Sequence, residues 1–329
     1  MRTAGIIRIV IGLVIAVILT TVLLAGLFGQ SLFQRLGWNS ANIRSWLFND
    51  SSAITSSGVN TGSGETTVSD TAAVPAADVR EIKIDWVSGS IDVRVGTGDD
   101  VVFYETSSRT LTDAQKMQYS LSASGVLQIS FRADIDNVFS WFSGDGNMPS
   151  KALVVEVPAS LLGKLDDFDI DNVSARIEVD GVYGDKTEIN SVSGQITCAD
   201  MTCDELILSS TSGSIDAESC TADKLELNNV SGSMRAEGDF RDVNVETVSG
   251  SVKLESRIAP DEISGDSVSG KITVILPEGA GFTAKLDTVS GALSCEFPGT
   301  LSDKKIVSGD GSGDYKFNSV SGGISIEMN

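Results

Sequence analysis

Nine serines stand in one repeated setting, and a recurring serine raises first the question of a nucleophile. Ser88, Ser174, Ser193, Ser212, Ser231, Ser249, Ser269, Ser290 and Ser321 each follow a valine, or Thr211 in one copy, and precede a glycine, or Ala175 in one copy. A serine hydroxyl attacks a substrate only beside a positioned general base. The chain contains no histidine, which removes Ser-His-Asp and Cys-His arrangements and the commonest zinc ligand. No other base recurs beside these serines, so their expected work is hydrogen bonding where the chain bends. Ser302 and Lys305 match the serine-x-x-lysine pattern of penicillin-binding enzymes without its companion motifs, and no catalytic residue is assigned.

Other reactive groups are few or scattered. The four cysteines, Cys198, Cys203, Cys220 and Cys295, form no CxxC pair. Cys198 and Cys295 fall in one inward column, five repeats apart in sequence, and read as small buried hydrophobes. Cys203 and Cys220 fall between strands of adjacent repeats, where spacing permits a disulfide without establishing one. Asp310 and Asp314, in the run 309–314, are candidate calcium ligands, although a tight Gly-rich turn is the simpler account. Carboxylates number 45, enough to supply a glycosidase pair. Such an enzyme needs a groove of clustered acidic and basic groups, whereas the outward column Glu178, Thr197, Asp216, Arg235, Lys253 and Thr273 mixes signs. Trp141 and Phe142, in a polar, Gly-rich stretch, are the candidates for contact with a sugar or a protein; packing under a hairpin is their plain alternative.

The elements that carry these residues follow from the repeat itself. The central small residues 175, 194, 213, 232, 250, 270 and 291 are separated by 19, 19, 19, 18, 20 and 21 residues, the mark of a repeat architecture. Gly89, Gly194, Gly213, Gly232, Gly250, Gly270, Gly291 and Gly322 hold a position where a side chain would obstruct the bend or the next repeat. Two and four places after them the residues are apolar, as in Ile196 and Cys198 or Val252 and Leu254, with polar residues between. That is the period of a half-buried strand. A second apolar column, Ile170, Ile189, Leu208, Leu227, Val245, Leu286 and Phe317, lies five places before the central small residue, followed by a polar pair where the strand turns a corner. One such rung cannot bury its apolar face alone, so the rungs must stack as a single-stranded parallel β-solenoid. At about 4.8 Å between paired strands, eight rungs from Asn172 onward make a rod roughly 40 Å tall. The corner column Asn172, Ser191, Ser210, Asn229, Thr247, Ser267, Thr288 and Ser319 is a polar ladder, able to bind glycans if flat and exposed and otherwise satisfying the corner backbone.

The remaining segments place the rod. Ile9 to Phe28 is long and apolar enough for one transmembrane helix, read as a retained anchor, so residues 1–29 form the anchor and 30–48 an interfacial segment rich in aromatics. Residues 49–78 have the Ser/Thr/Gly composition of a flexible linker. Residues 79–165 hold the first repeat and an antiparallel capping region, and 166–329 the repeats. The formal charge of −21 disfavours nucleic acid as a partner. The last strand, at Ile324, has no capping element after it; its edge is either covered by a neighbouring segment or free for self-association.

The Val-Ser-Gly-x-Ile ladder, the opening Ile82-Lys83-Ile84-Asp85, and the strand-proline endings Val157-Pro158 and Leu276-Pro277 together resemble the bacterial putative-adhesin family of β-strand-repeat domains. The resemblance spans roughly Val79 to Asn329. It implies an all-β, envelope-associated, often membrane-anchored protein of unknown biochemical function, and it transfers no site residue. The expectation is a single-pass, extracytoplasmic binding module in the cell membrane that performs no chemistry and uses no cofactor. Its anchor contacts the bilayer and its partners are glycans or envelope proteins. The alternatives are an envelope sensor or regulatory partner of a membrane protein and, further off, a polysaccharide lyase or hydrolase.

Overall fold

Period-two burial governs nearly every strand of the protein, whose computed structural model describes residues 67–108, 110–113, 115–131, 151–302 and 304–329. The first strands are β1 (Thr67–Pro75), β2 (Glu81–Trp86), β3 (Gly89–Gly96), β4 (Asp100–Ser107), β5 (Gln118–Leu121), β6 (Val126–Ser130) and β7 (Lys151–Pro158). The regular repeats follow as β8 (Asp167–Asn172), β9 (Arg176–Asp180), β10 (Lys186–Ser191), β11 (Ile196–Ala199), β12 (Thr202–Ser210), β13 (Ile215–Asn229), β14 (Met234–Thr247) and β15 (Val252–Ser256). The C-terminal part holds β16 (Glu262–Ser267), β17 (Ile272–Leu276), β18 (Phe282–Thr288), β19 (Leu293–Cys295), β20 (Gly299–Ser302), β21 (Lys305–Ser308), β22 (Gly313–Ser319) and β23 (Ile324–Met328).

Each rung contributes one strand before the Val-Ser-Gly corner and one after it, and equivalent strands pair in parallel from rung to rung. The leading strands run in the order β6, β2, β8, β10, β12, the second half of β13, the second half of β14, β16, β22 and β18. The trailing strands run β7, β3, β9, β11, the starts of β13 and β14, β15, β17, β23 and β19. Inward columns such as Ile177, Ile196, Ile215 and Met234 are at most 2% exposed. They form one continuous aliphatic core that no rung could enclose by itself.

The spatial order departs from the sequence at the C-terminal end. The last rung, β22 and β23, is inserted between the rung of β16 and β17 and that of β18 and β19. The strand at Ile324 therefore has a neighbour on each side, the covered one of the two outcomes expected for it, and the end strand of this sheet is β19. A hairpin of β20 and β21 lies antiparallel along β18, which occupies that strand's outer side and brings the chain back for the final rung. Phe282 stacks on Tyr315 of the inserted rung at 5.0 Å and meets Phe297 edge-on at 5.2 Å, an aromatic plug for this end.

At the other end β4 lies antiparallel along β7, β1 along β4, and β5 along β6. The linker expected at 49–78 is corrected over its last part, because β1 and a 3-10 turn at Ala76–Asp78 are ordered there. Ala72, Val74 and Ala76 are buried on alternate positions, and with alanine at two of the three the apolar alternation is too weak to announce the strand. The anchor at 1–29, the interfacial segment and the first part of the linker lie outside the described residues, as do Trp141 and Phe142. Among the described residues no helix is long and apolar enough to cross a membrane.

Candidate functional surface

The repeated serines are spent on the structure. Ser193 Oγ donates to Val173 O at 3.3 Å, Ser249 Oγ to Val230 O at 3.2 Å and Ser321 Oγ to Val268 O at 3.3 Å, each reaching the valine carbonyl of the rung beneath. They are exposed staples between rungs, with no base beside them.

The polar ladder one corner further in is buried. Ser191 and Asn229 are 6% and 5% exposed. Ser191 Oγ accepts from Gly194 N–H at 2.8 Å, Asn229 Oδ1 from Gly232 N–H at 2.7 Å, and Ser319 Oγ from Gly322 N–H at 2.7 Å. The ladder thus satisfies corner backbone that has no water, and it offers no flat array to a glycan. In the first copy its place is taken by Trp86, in register with Asn172, whose Nε1 donates to Ser88 O at 3.1 Å. The glycines are required by close approach: a Cβ on Gly194, Gly213, Gly232, Gly250 or Gly270 would stand 1.8 to 2.0 Å from the carbonyl oxygen of the rung below. Ala175 is the one copy with a methyl here, and the residue beneath it, Gly89, is the one glycine of the column with a positive φ, +99°.

The outward columns carry paired charges. Arg94 bonds Glu156 at 2.8 Å and Asp92 at 2.9 Å, Arg235 bonds Glu237 at 2.6 Å and Glu218 at 2.7 Å, and Lys224 bonds Glu205 and Glu226, both at 2.6 Å. Asp171 titrates above the ordinary carboxylate range, chiefly because burial disfavours its charge, against the opposing bond from Asn190. An open depression of about 450 Å³ is lined by Ser233, Ser251, Arg235, Lys253, Lys271 and Glu327, but Arg235 and Lys253 are already held by glutamates. Among the described residues this depression is not a groove of one sign.

The calcium candidates do not converge. Asp310 Oδ1 accepts from Ser312 N–H at 3.1 Å, which with the Ser312 hydroxyl holds its carboxyl below the ordinary range. Asp314 is paired with Lys316 at 2.8 Å. Among the described residues no group of three or more acidic or cysteine side chains is arranged to hold a metal ion. Ser302 and Lys305 face each other across the hairpin of β20 and β21.

Cys203 and Cys220 are unbonded. They lie inside β12 and β13, in register with Ala222 and Gly238, so neither faces the other across the ladder. Burial pushes the thiol of Cys203 up to about 12 and that of Cys220 to about 11, and raises that of Cys198 well above its ordinary value.

One buried ion pair escaped the sequence. Lys151 Nζ lies 2.8 Å from Glu105 Oε2, with both side chains fully enclosed. It also donates to Gln115 O at 2.7 Å and sits 4.1 Å from the ring centre of Phe131 and 5.2 Å from that of Trp86. Glu105 Oε1 accepts from Met117 N–H at 2.7 Å. Burial lowers the Lys151 ammonium from its ordinary value, against the opposing pull of Glu105. The signal was parity: Lys151 precedes Leu153, Val155 and Val157, and Glu105 follows Val101 and Phe103, each on the inward register. The pair ties β4, β7 and the 115–117 turn over the first rungs, which is a structural task.

Several solved structures are similar at low identity. A "putative adhesin" from Bacteroides fragilis is 15% identical, over 81% of this chain and 98% of its own, with a TM-score of 0.45. A "putative lipid binding protein" from Parabacteroides distasonis is 16% identical, over 82% and 98%, also at 0.45. A "putative cell adhesion protein" from Clostridium sporogenes is 12% identical, over 79% and 98%, at 0.30. No curated protein matches the sequence. The family model described as Toastrack DUF4097 matches residues 79–327, the whole stack from β2 into β23, and the chain belongs to that family.

Proposed function

We propose that the protein is a membrane-anchored, extracytoplasmic binding rod of the bacterial cell envelope that performs no chemistry. The observation that carries this reading is how the repeat uses its reactive groups. The exposed serines staple rung to rung, the corner polar groups satisfy buried glycine N–H groups, and the outward cations are held by carboxylates in ladders. What is left for function is shape: two long, stiff faces with a regular strand spacing of about 4.8 Å. The apolar run from Ile9 to Phe28 supports an anchor at the N-terminal end, with the rod projecting from it.

The test is binding of the purified chain to glycan arrays and to envelope extracts, paired with protease accessibility on intact cells. Saturable binding without turnover, and digestion of the repeats from outside, support the reading. Cleavage of a polysaccharide by the purified protein overturns it. Crosslinking in membranes to one specific membrane protein, with no external ligand, replaces it by the sensor reading.

A further inference from the structure

The depression on the trailing sheet holds polar groups that the repeat leaves unused. Ser233, Ser251 and Lys271 line it. They form one outward column, because each stands just before an inward residue, Met234, Val252 or Ile272, and these are in register from rung to rung. Among the described residues the hydroxyls of Ser233 and Ser251 and the ammonium of Lys271 have no hydrogen-bond or ion-pair partner within the chain. Ser249, two residues before Ser251, donates instead to Val230 O of the rung beneath. The next member of the column is Gly323, before Ile324, and it brings no side chain to close that end.

The other lining groups are charged. Arg235 and Lys253 are held by Asp216, Glu218, Glu237 and Glu255, and none of these four carboxylates lines the depression. Lys253 Nζ gives one bond, to Glu255 at 3.0 Å, of the three an ammonium can donate. Glu327 is the acidic residue of the lining. It arrives on the inserted rung, in register with Ile275, and its Oε1 accepts from Ser325 Oγ at 2.8 Å. Arg235, Lys253 and Lys271 thus face a single carboxylate, in a chain whose formal charge is −21.

That mixture selects a ligand chemistry. An anionic lipid surface or a phosphate polymer offers negative charge to every lining group, and Glu327 repels it. A sugar acid offers a carboxylate to the ammonium groups, and hydroxyls that donate to Glu327 and exchange hydrogen bonds with Ser233 and Ser251. The volume of about 450 Å³ falls within the range of ligand pockets, roughly 300–1,000 Å³.

We propose that this depression binds an acidic polysaccharide through a uronic-acid residue, its carboxylate on Lys271 and Lys253 and its hydroxyls on Ser233, Ser251 and Glu327. The proposal rests on the binding-rod reading above and gives that rod its ligand class.

The experiment is calorimetric titration of the full chain in detergent with oligomers of galacturonate, glucuronate and mannuronate, each beside its methyl ester. At least one acid oligomer is expected to bind saturably, its ester at least about tenfold more weakly, the loss of one charge-assisted hydrogen bond, and added salt should weaken the acid. Lys271→Gln, at an exposed position, should leave the circular dichroism unchanged and lower the affinity about tenfold for the same reason. Lys164→Gln, which removes the same charge from an exposed position outside the depression, should not. The proposal is overturned by an absence of binding to all three acid oligomers, by equal binding of acid and ester, by equal losses in Lys271→Gln and Lys164→Gln, or by inorganic phosphate binding as tightly with the same dependence on Lys271. Failure of the oligouronates alongside saturable binding to other glycans removes this ligand and leaves the proposed function standing. Cleavage of a bound oligomer keeps the site and overturns the reading without chemistry.

Discussion

Gly322 rests on Gly270. A Cβ on Gly322 would stand 2.1 Å from Gly270 O, and one on Gly291 would stand 2.1 Å from Gly322 O, so the ninth copy of the repeat lies between the seventh and the eighth. Among the described strands β18 pairs with β22 and β21, and β19 with β23, so neither pairs with the rung that precedes it in sequence.

Truncation tests this insertion. Removing residues after Ser312 deletes β22 and β23, and with them the floor on which β18 and β19 pack. The expected outcome is rapid tryptic cleavage between Arg257 and Lys305, where the intact chain resists, while the rungs up to β15 persist. A truncated chain as resistant as the parent would contradict the insertion.

The glycine column separates close approach from backbone conformation. Gly232→Ala places a methyl against Gly213 O and should cost about 1–3 kcal/mol by overpacking, more if the ladder must part. Gly163, at φ +67° with nothing within 4 Å of its added Cβ, should cost only the left-handed penalty of about 1–2 kcal/mol on conversion to alanine. Urea midpoints compare them, and a larger loss at Gly163 would count against rung contact as the reason for the column.

The buried pair at the N-terminal cap should behave as a unit. Lys151→Met leaves Glu105 enclosed without its cation, a loss of about 3–5 kcal/mol. Adding Glu105→Gln keeps an acceptor for Met117 N–H and should recover most of that loss. Chemical denaturation of the two single variants and the double variant reads the coupling, and additive losses would show that the pair is not one.

The thiols give a signed dependence on pH. Cys203 and Cys220 have native values of about 12 and about 11, raised above an ordinary value near 8.5. The native state then keeps protons that the unfolded state has released, so their contribution to stability is full below about pH 8.5 and is lost as pH rises toward 11–12. At pH 8, alkylation should modify Cys198, Cys203 and Cys220 only after denaturant is added, with half-buried Cys295 reacting first. Prompt labelling of Cys220 in the folded chain would refute this burial.

How far the fold could be read ahead depends on which contacts are local. Period-two alternation and the glycine spacing are properties of neighbouring residues, and they place Ile196, Ile215, Val252 and their columns inside. The serine staples and the polar corner followed from the same reasoning, because a bend needs hydrogen bonds wherever it occurs. β1 was missed, since Ala72 and Val74 are buried by β4 and by nothing in their own sequence. Trp141 and Phe142 lie outside the described residues.

The sequence by itself determined that equivalent residues stack, because every rung carries the same half-finished apolar face and only another rung can complete it. Which rung completes which was decided in three dimensions. Strand pairing rewards any neighbour with matching columns, and 52 residues separate Glu262 from its partner Asp314, a distance over which no local pattern specifies register. The same physics made Lys151 and Glu105 partners, left Cys203 and Cys220 apart, and chose β17 and β19 as the neighbours that cover the chain's last strand.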